Sequence, residues 1–219
     1  MINYKSADDV NMSRRERERL AHRQEIMEAA LSIFGEKGYF NTTLDEIAQK
    51  ADFSKGTLYL YFQSKEDLLY TIIKEKGEEW NQMLNGIMQR SLGFKDGLRT
   101  MFLYAARQSF MDQRFFSIHS IHHTPAFKAL SPERWQEFMD CHTRMEERSI
   151  EQIQRYIDSG ELRNVCPKMI FGILHGSIEN LLITRWGCDS MEELAHAIDQ
   201  YIDIIFNGIA KEREIERET

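Results

Sequence analysis

Apolar positions recur at helical spacing along most of the chain. Ile26, Ala29, Ala30, Ile33 and Phe34 keep a 3.6-residue period that stops at Gly38, the residue type that ends a helix at least cost. A shorter stripe of Leu44, Ile47, Ala48 and Ala51 follows. It opens with Thr43 and has Glu46 three residues on, the spacing of a capping box. Ser64, with Asp67 at the third helical position, starts a long helix through Leu69, Ile72, Ile73, Trp80, Leu84 and Ile87. Pro167 opens a later helix through Ile170, Ile173, Leu174, Ile178, Leu181 and Leu182. Ser190 and Glu193 open another through Leu194, Ile198, Tyr201, Ile202, Ile205 and Ile209. The pattern predicts an all-α fold.

One stretch breaks the period. GTLYLYF, residues 56–62, alternates like a strand. Nothing nearby reads as a second strand, and a helix start lies on either side of it. Coiled as a helix over 55–62, it puts Leu58 and Phe62 on one side, at i and i+4. Gly56, Thr57, Tyr59 and Leu60 fall on the other, with Tyr61 flanking. Short helices around the tight Asp52-Phe53-Ser54 turn make a helix-turn-helix. Its outward face suits a DNA groove. Gly56 permits close backbone approach, Thr57 and Tyr59 can hydrogen-bond phosphates or base edges, and Leu60 can touch a thymine methyl.

The stretch NTTLDEIAQKADFSKGTLYLYFQSKEDLL resembles the DNA-binding region of TetR-family transcriptional regulators over about residues 20–70. The resemblance implies an N-terminal three-helix DNA-binding domain on a larger helical effector-binding and dimerisation domain. It implies a homodimeric repressor that leaves a near-palindromic operator in double-stranded DNA when a small molecule binds. The expected division is a disordered lead over 1–12, a DNA-binding domain over 13–66 and an effector domain over 67–219. Carried over by position, Thr43 meets a backbone phosphate, and Ser54, Lys55, Gly56, Thr57 and Leu60 sit at the major-groove face. Tyr59, Tyr61 and Lys65 hold phosphates, so losing Lys65 should flatten the salt dependence of binding. Two positions depart from the family. Leu44 and Leu60 stand where relatives often carry polar or aromatic side chains, and leucine makes no hydrogen bond.

Charge changes the picture only through its distribution. The net charge of −7 disfavours nucleic acid at first sight. Residues 1–76 hold 12 Lys and Arg against 13 Asp and Glu, whereas the remainder holds 16 against 22. The acidity therefore lies mostly outside the DNA-binding part. Arg14, Arg15, Arg17, Arg19 and Arg23 alternate with Glu16, Glu18 and Glu25. They read equally as a solvated helix face with i, i+4 pairs or as an arm on phosphate. No run of eighteen apolar residues suggests a membrane span, and the first twenty residues have no apolar core for a signal peptide. The three cysteines fit neither a disulfide framework nor a zinc site, which points to the cytoplasm.

The later part is rich in Met and aromatic residues, suited to an adaptable apolar pocket. Phe102, Phe110, Phe116, Trp135, Phe138 and Met139 are the candidate lining, with Arg107, His119, His122 and Asn180 as polar handles. A bulky apolar or amphipathic effector is the expectation. The alternatives are control by a protein partner, or by no ligand at all. A metal-dependent enzyme using His119, His122 and His123 is a remote third, because no carboxylate or cysteine completes a set. No cofactor is implied. The last two helices are the expected dimer interface, through Ile170, Ile173, Leu174, Ile178, Leu181, Ile198, Tyr201, Ile202 and Ile205.

Overall fold

The computed structural model describes residues 12–90, 93–111 and 125–209. All elements among them are helices: α1 (Arg14–Lys37), α2 (Leu44–Lys50), α3 (Lys55–Tyr59), α4 (Lys65–Arg90), α5 (Phe94–Met111), α6 (Pro132–Asp158), α7 (Pro167–Thr184) and α8 (Met191–Ile209). Two 3-10 turns, Pro125–Ala129 and Arg185–Gly187, complete them. The chain divides into two compact units between Ile73 and Lys74. The division lies inside α4. Leu68, Leu69, Ile72 and Ile73 are buried, and they extend the core of the first unit into the start of this helix.

In the first unit, a reciprocal capping box starts α1: the Ser13 hydroxyl accepts from the Glu16 N–H, and the Glu16 carboxylate accepts from the Ser13 N–H. Its first half is exposed, and its second half buries Ile26, Met27, Ala30, Leu31 and Phe34. Gly38 ends the helix with φ of 81°, donating its N–H to the Phe34 carbonyl. Ile47, Leu58, Phe62, Leu68 and Leu69 close the core against that face. Each such side chain contributes about 1.5–3 kcal/mol by leaving water.

In the second unit, α5 packs on α7 and α8, and α6 packs on α7. Ion pairs tie α5 to α8: Lys95 to Asp203 at 2.6 Å, and Arg99 to both oxygens of Asp199 at 2.6 and 3.1 Å. Beyond α6, Gly160 turns the chain at φ of 78°. That turn brings the Glu161 carboxylate to the Phe94 N–H at the start of α5, at 2.6 Å. The α7–α8 turn runs through Arg185, Trp186 and Gly187, all in the left-handed region. It is stabilised by packing: Trp186 lies 5.1 Å from the Tyr201 ring and 6.1 Å from Phe102, and the Arg185 guanidinium lies 4.7 Å from the Phe110 ring.

The expected dimer residues separate into two sets. Ile170, Leu174, Ile178, Leu181, Ile198 and Ile202 are buried within the protomer and belong to its own core. Ile173 remains exposed, and Tyr201 and Ile205 are half-buried. The outward apolar residues of α7 and α8 also include Met169, Ile183, Met191 and Ile204, one step round each helix from the assigned stripe. The period located the buried stripe, but both helices are apolar on more than one side, and only packing decides which side faces inward.

Candidate nucleic-acid interface

The site is built from α2, a tight turn and α3. Thr43 caps α2 in a full capping box: its hydroxyl accepts from the Glu46 N–H, and the Glu46 carboxylate accepts from the Thr43 N–H at 2.9 Å. Hydrogen bonds from Lys37 and from the Thr43 backbone and hydroxyl pull the Glu46 carboxyl down to about 2. The helix ends in a Schellman turn. The Phe53 N–H reaches the Ala48 carbonyl at 2.9 Å and the Asp52 N–H reaches the Gln49 carbonyl at 3.2 Å. Asp52 holds the left-handed position, φ 59°, where glycine is the usual residue. Ser54 then caps α3 by accepting from the Thr57 N–H at 3.0 Å.

The helix in the GTLYLYF stretch is shorter than expected. It spans Lys55–Tyr59, and Leu60 and Tyr61 form a turn in place of a last helical turn. The division of faces survives. Leu58 and Phe62 are fully buried, whereas Lys55, Gly56, Tyr59 and Leu60 are exposed, Leu60 by 75%. Local hydrogen bonds of both helix starts, and the i, i+4 pair Leu58 and Phe62, override the strand-like alternation.

Several polar groups on this face are engaged within the chain. The Lys55 ammonium pairs with Asp45 of α2 at 2.7 Å, which raises its pKa above the usual lysine value. The Thr57 and Ser54 hydroxyls meet at 2.8 Å. A shallow groove of about 570 Å³ runs beside them, lined by Asp45, Gln49, Asp52, Phe53 and Lys55 among others. Tyr61 is half-buried, its hydroxyl 3.4 Å from Nδ1 of His22. His22 also packs 5.0 Å from the Phe53 ring, and the Arg23 guanidinium lies 5.6 Å from the Phe62 ring. Thus α1 braces both ends of the α3 segment, a long-range arrangement that no local spacing signals.

Lys65 does not present its ammonium outward. The Nζ donates to the Tyr39 carbonyl at 2.9 Å and to the Thr42 carbonyl at 2.7 Å, and lies 4.4 Å from the centre of the Tyr39 ring. Burial lowers its pKa below the usual lysine value, with Lys37 acting in the same direction and Glu46 opposing it.

The geometry is that of a helix-turn-helix with an exposed reading helix, and its sequence has relatives. The model of bacterial regulatory proteins of the tetR family matches residues 26–71. Residues 26–71 therefore carry a DNA-binding region of the TetR type. Among family relatives, YfiR of Bacillus subtilis, an uncharacterized HTH-type transcriptional regulator, is 28% identical over 85% of this chain and 93% of its own length. The TetR-family regulator PfmR of Thermus thermophilus superposes with a TM-score of 0.70 at 26% identity, over 86% of this chain and 99% of that one. FadR of Bacillus subtilis, solved in complex with stearoyl-CoA, shares the fold with a TM-score of 0.70 at 20% identity, over 85% and 98%. These relatives are transcriptional regulators and not enzymes, and the geometry described here is that of a DNA-binding transcriptional regulator.

The described candidate effector residues differ in burial and surroundings. Phe102 is buried beside Tyr201 and Trp186. Trp135 and Phe138 cluster with Phe127, and Met139 is half-buried. Arg107, Phe110 and Asn180 are exposed. Phe116, His119, His122 and His123 lie outside the described residues, as does nearly all of the lead over 1–12. No group of three or more metal-ligating side chains occurs among the described residues. No helix among them is long and apolar enough to cross a membrane.

Proposed function

We propose that this regulator is a cytoplasmic, homodimeric repressor that binds a near-palindromic operator and releases it when a bulky amphipathic molecule enters the second unit. The observation that carries the DNA half is the outward set Lys55, Gly56, Tyr59 and Leu60 on a helix anchored by the fully buried Leu58 and Phe62. A Cβ added at Gly56 would meet only the Ser54 hydroxyl, at 3.7 Å, so the protomer itself does not require glycine there. Close approach to DNA does. Thr43, Ser54, Thr57 and Tyr61 complete the docking surface, and the flat apolar tip of Leu60 selects a thymine methyl in preference to a hydrogen-bonding edge. Two copies joined through α7 and α8 place two reading helices about 34–36 Å apart, one turn of DNA.

The effector class rests on two supports: the aromatic and Met-rich composition of the second unit, and a solved fold relative that holds stearoyl-CoA. Long-chain acyl-CoA thioesters are therefore the first ligands to try. An effector acts only through its different affinity for the DNA-competent and released states, so ligand and operator must oppose each other reciprocally. The test selects genomic fragments with the purified protein at two salt concentrations, then adds stearoyl-CoA to the recovered duplex. Recovery of one near-palindromic site that the thioester releases is the expected result. Only salt-sensitive, sequence-random DNA would overturn the operator reading, and a site that the thioester leaves bound would overturn the effector class.

A further inference from the structure

We propose that Lys65 is a positioning residue that locks the turn between α1 and α2, so that it seats the DNA-reading helices and makes no phosphate contact of its own. The inference rests on the DNA-binding reading above. Leaving α1, the chain must reverse within five residues, Gly38 to Thr42, before Thr43 caps α2. Such a turn leaves carbonyls without helical partners. Two of them, Tyr39 and Thr42, converge on the one ammonium of Lys65, at 2.9 and 2.7 Å. Hydrogen bonds from a charged donor are short and strong, and these two pin both ends of a four-residue segment. The buried Tyr39 ring under the same ammonium closes the lock from the third side.

The rest of the turn is arranged around this point. Thr42 is buried and its hydroxyl donates to the Gly38 carbonyl at 2.9 Å, while the Asn41 amide donates to the Lys37 carbonyl at 3.0 Å. On the far side Lys37 pairs with Glu46, the acid of the α2 capping box. The start of α2 is thus held from two directions, by Lys65 through the turn carbonyls and by Lys37 through Glu46. For Lys65 to reach a phosphate it would have to abandon both carbonyls, leaving that of Tyr39 with only the Thr42 N–H at 3.2 Å and that of Thr42 without its charged donor. An ammonium that meets no phosphate displaces no counterion from DNA, and this distinguishes the two roles.

The experiment measures binding of the full-length protein to two duplexes, one recovered by genomic selection and one of random sequence, across a salt series. Lys65→Met, which keeps the aliphatic stem, is compared with wild type and with Tyr39→Leu, which keeps the charge but removes the ring. We expect Lys65→Met to weaken binding to both duplexes about tenfold or more with an unchanged slope of log affinity against log salt. Tyr39→Leu should weaken binding in the same way. A slope lower by about 0.9 in Lys65→Met, the value of one lost phosphate contact, would overturn the proposal. Full affinity in both variants would also overturn it. Amide exchange at Thr43 and Glu46 supplies a readout free of DNA and should rise about tenfold or more in Lys65→Met. Unchanged exchange would refute the lock. Should wild type bind neither duplex, the DNA reading itself fails, and exchange still decides whether Lys65 holds the turn.

Discussion

At the scale of single residues, the cations near the reading helix are not equally available to DNA. Lys55 is exposed but paired with Asp45, and both side chains are more than half exposed. A pair this wet is weak, so a phosphate can compete for the lysine. Asp45→Asn removes the competitor and the nearest negative charge. Binding should tighten several-fold and the salt slope should steepen by up to about 0.9, as measured by titration across a salt series. A slope identical to wild type would show that Asp45 does not hold Lys55 away from a phosphate. Glu46 gives a pH prediction. Its folded pKa, about 2, lies below the ordinary 4.5, so its ion-pairing and capping contribution is fully present above pH 4.5. It is lost as pH falls from 4.5 towards 2. Denaturant unfolding over that window should lose stability in wild type, and Glu46→Gln should flatten that part of the profile.

At the scale of elements, the hinge of the helix-turn-helix carries local strain. Asp52 occupies the left-handed position of the Schellman turn, and an L residue there costs more than glycine, although Asp tolerates it better than most. Asp52→Gly should stabilise the first unit by about 0.5–1 kcal/mol in chemical unfolding. Asp52→Val should destabilise it by at least as much, because a β-branched side chain fits that conformation poorly. Both helices of the motif are short, seven and five residues, and too short to persist alone. Their order comes from their caps, from Ile47, Leu58 and Phe62 in the shared core, and from the brace that α1 supplies through His22 and Arg23.

At the scale of the whole molecule, α7 and α8 leave Met169, Ile173, Ile183, Met191 and Ile204 exposed. Apolar residues on two successive helices are the ordinary material of a helical subunit interface. Ile204 is 72% exposed and Ile202, two positions earlier, is 1% exposed. Ile204→Glu should therefore convert the proposed dimer to a folded monomer with weakened binding to the proposed operator, read by sedimentation and by titration. Ile202→Glu should instead unfold the second unit. A variant Ile204→Glu that sediments as wild type would place the interface elsewhere.

The sequence by itself determined the all-α class, the helices that carry a local start or stop signal, and the family resemblance of the DNA-binding region. Helix starts and stops are local, written in a hydroxyl, a carboxylate three residues on, or a glycine, and Ser64, Thr43 and Gly38 act as their spacing predicts. The exposed and buried sides of the reading helix were legible for the same reason, from Leu58 and Phe62 at i and i+4. Tertiary structure decided where charges and apolar faces are spent. Lys65 has the same sequence neighbourhood whether it faces a phosphate or two carbonyls. The carbonyls of Tyr39 and Thr42 that capture it lie 26 and 23 residues away, beyond the reach of any local period. Likewise, α7 and α8 are apolar on more than one side, and only their packing against α5 selects Ile170, Leu174 and Ile198 for the core and leaves Ile173 and Ile204 outside. Local hydrogen bonding forms within one turn and is read from short spacing, whereas burial and ion pairing depend on partners that only the folded chain brings together.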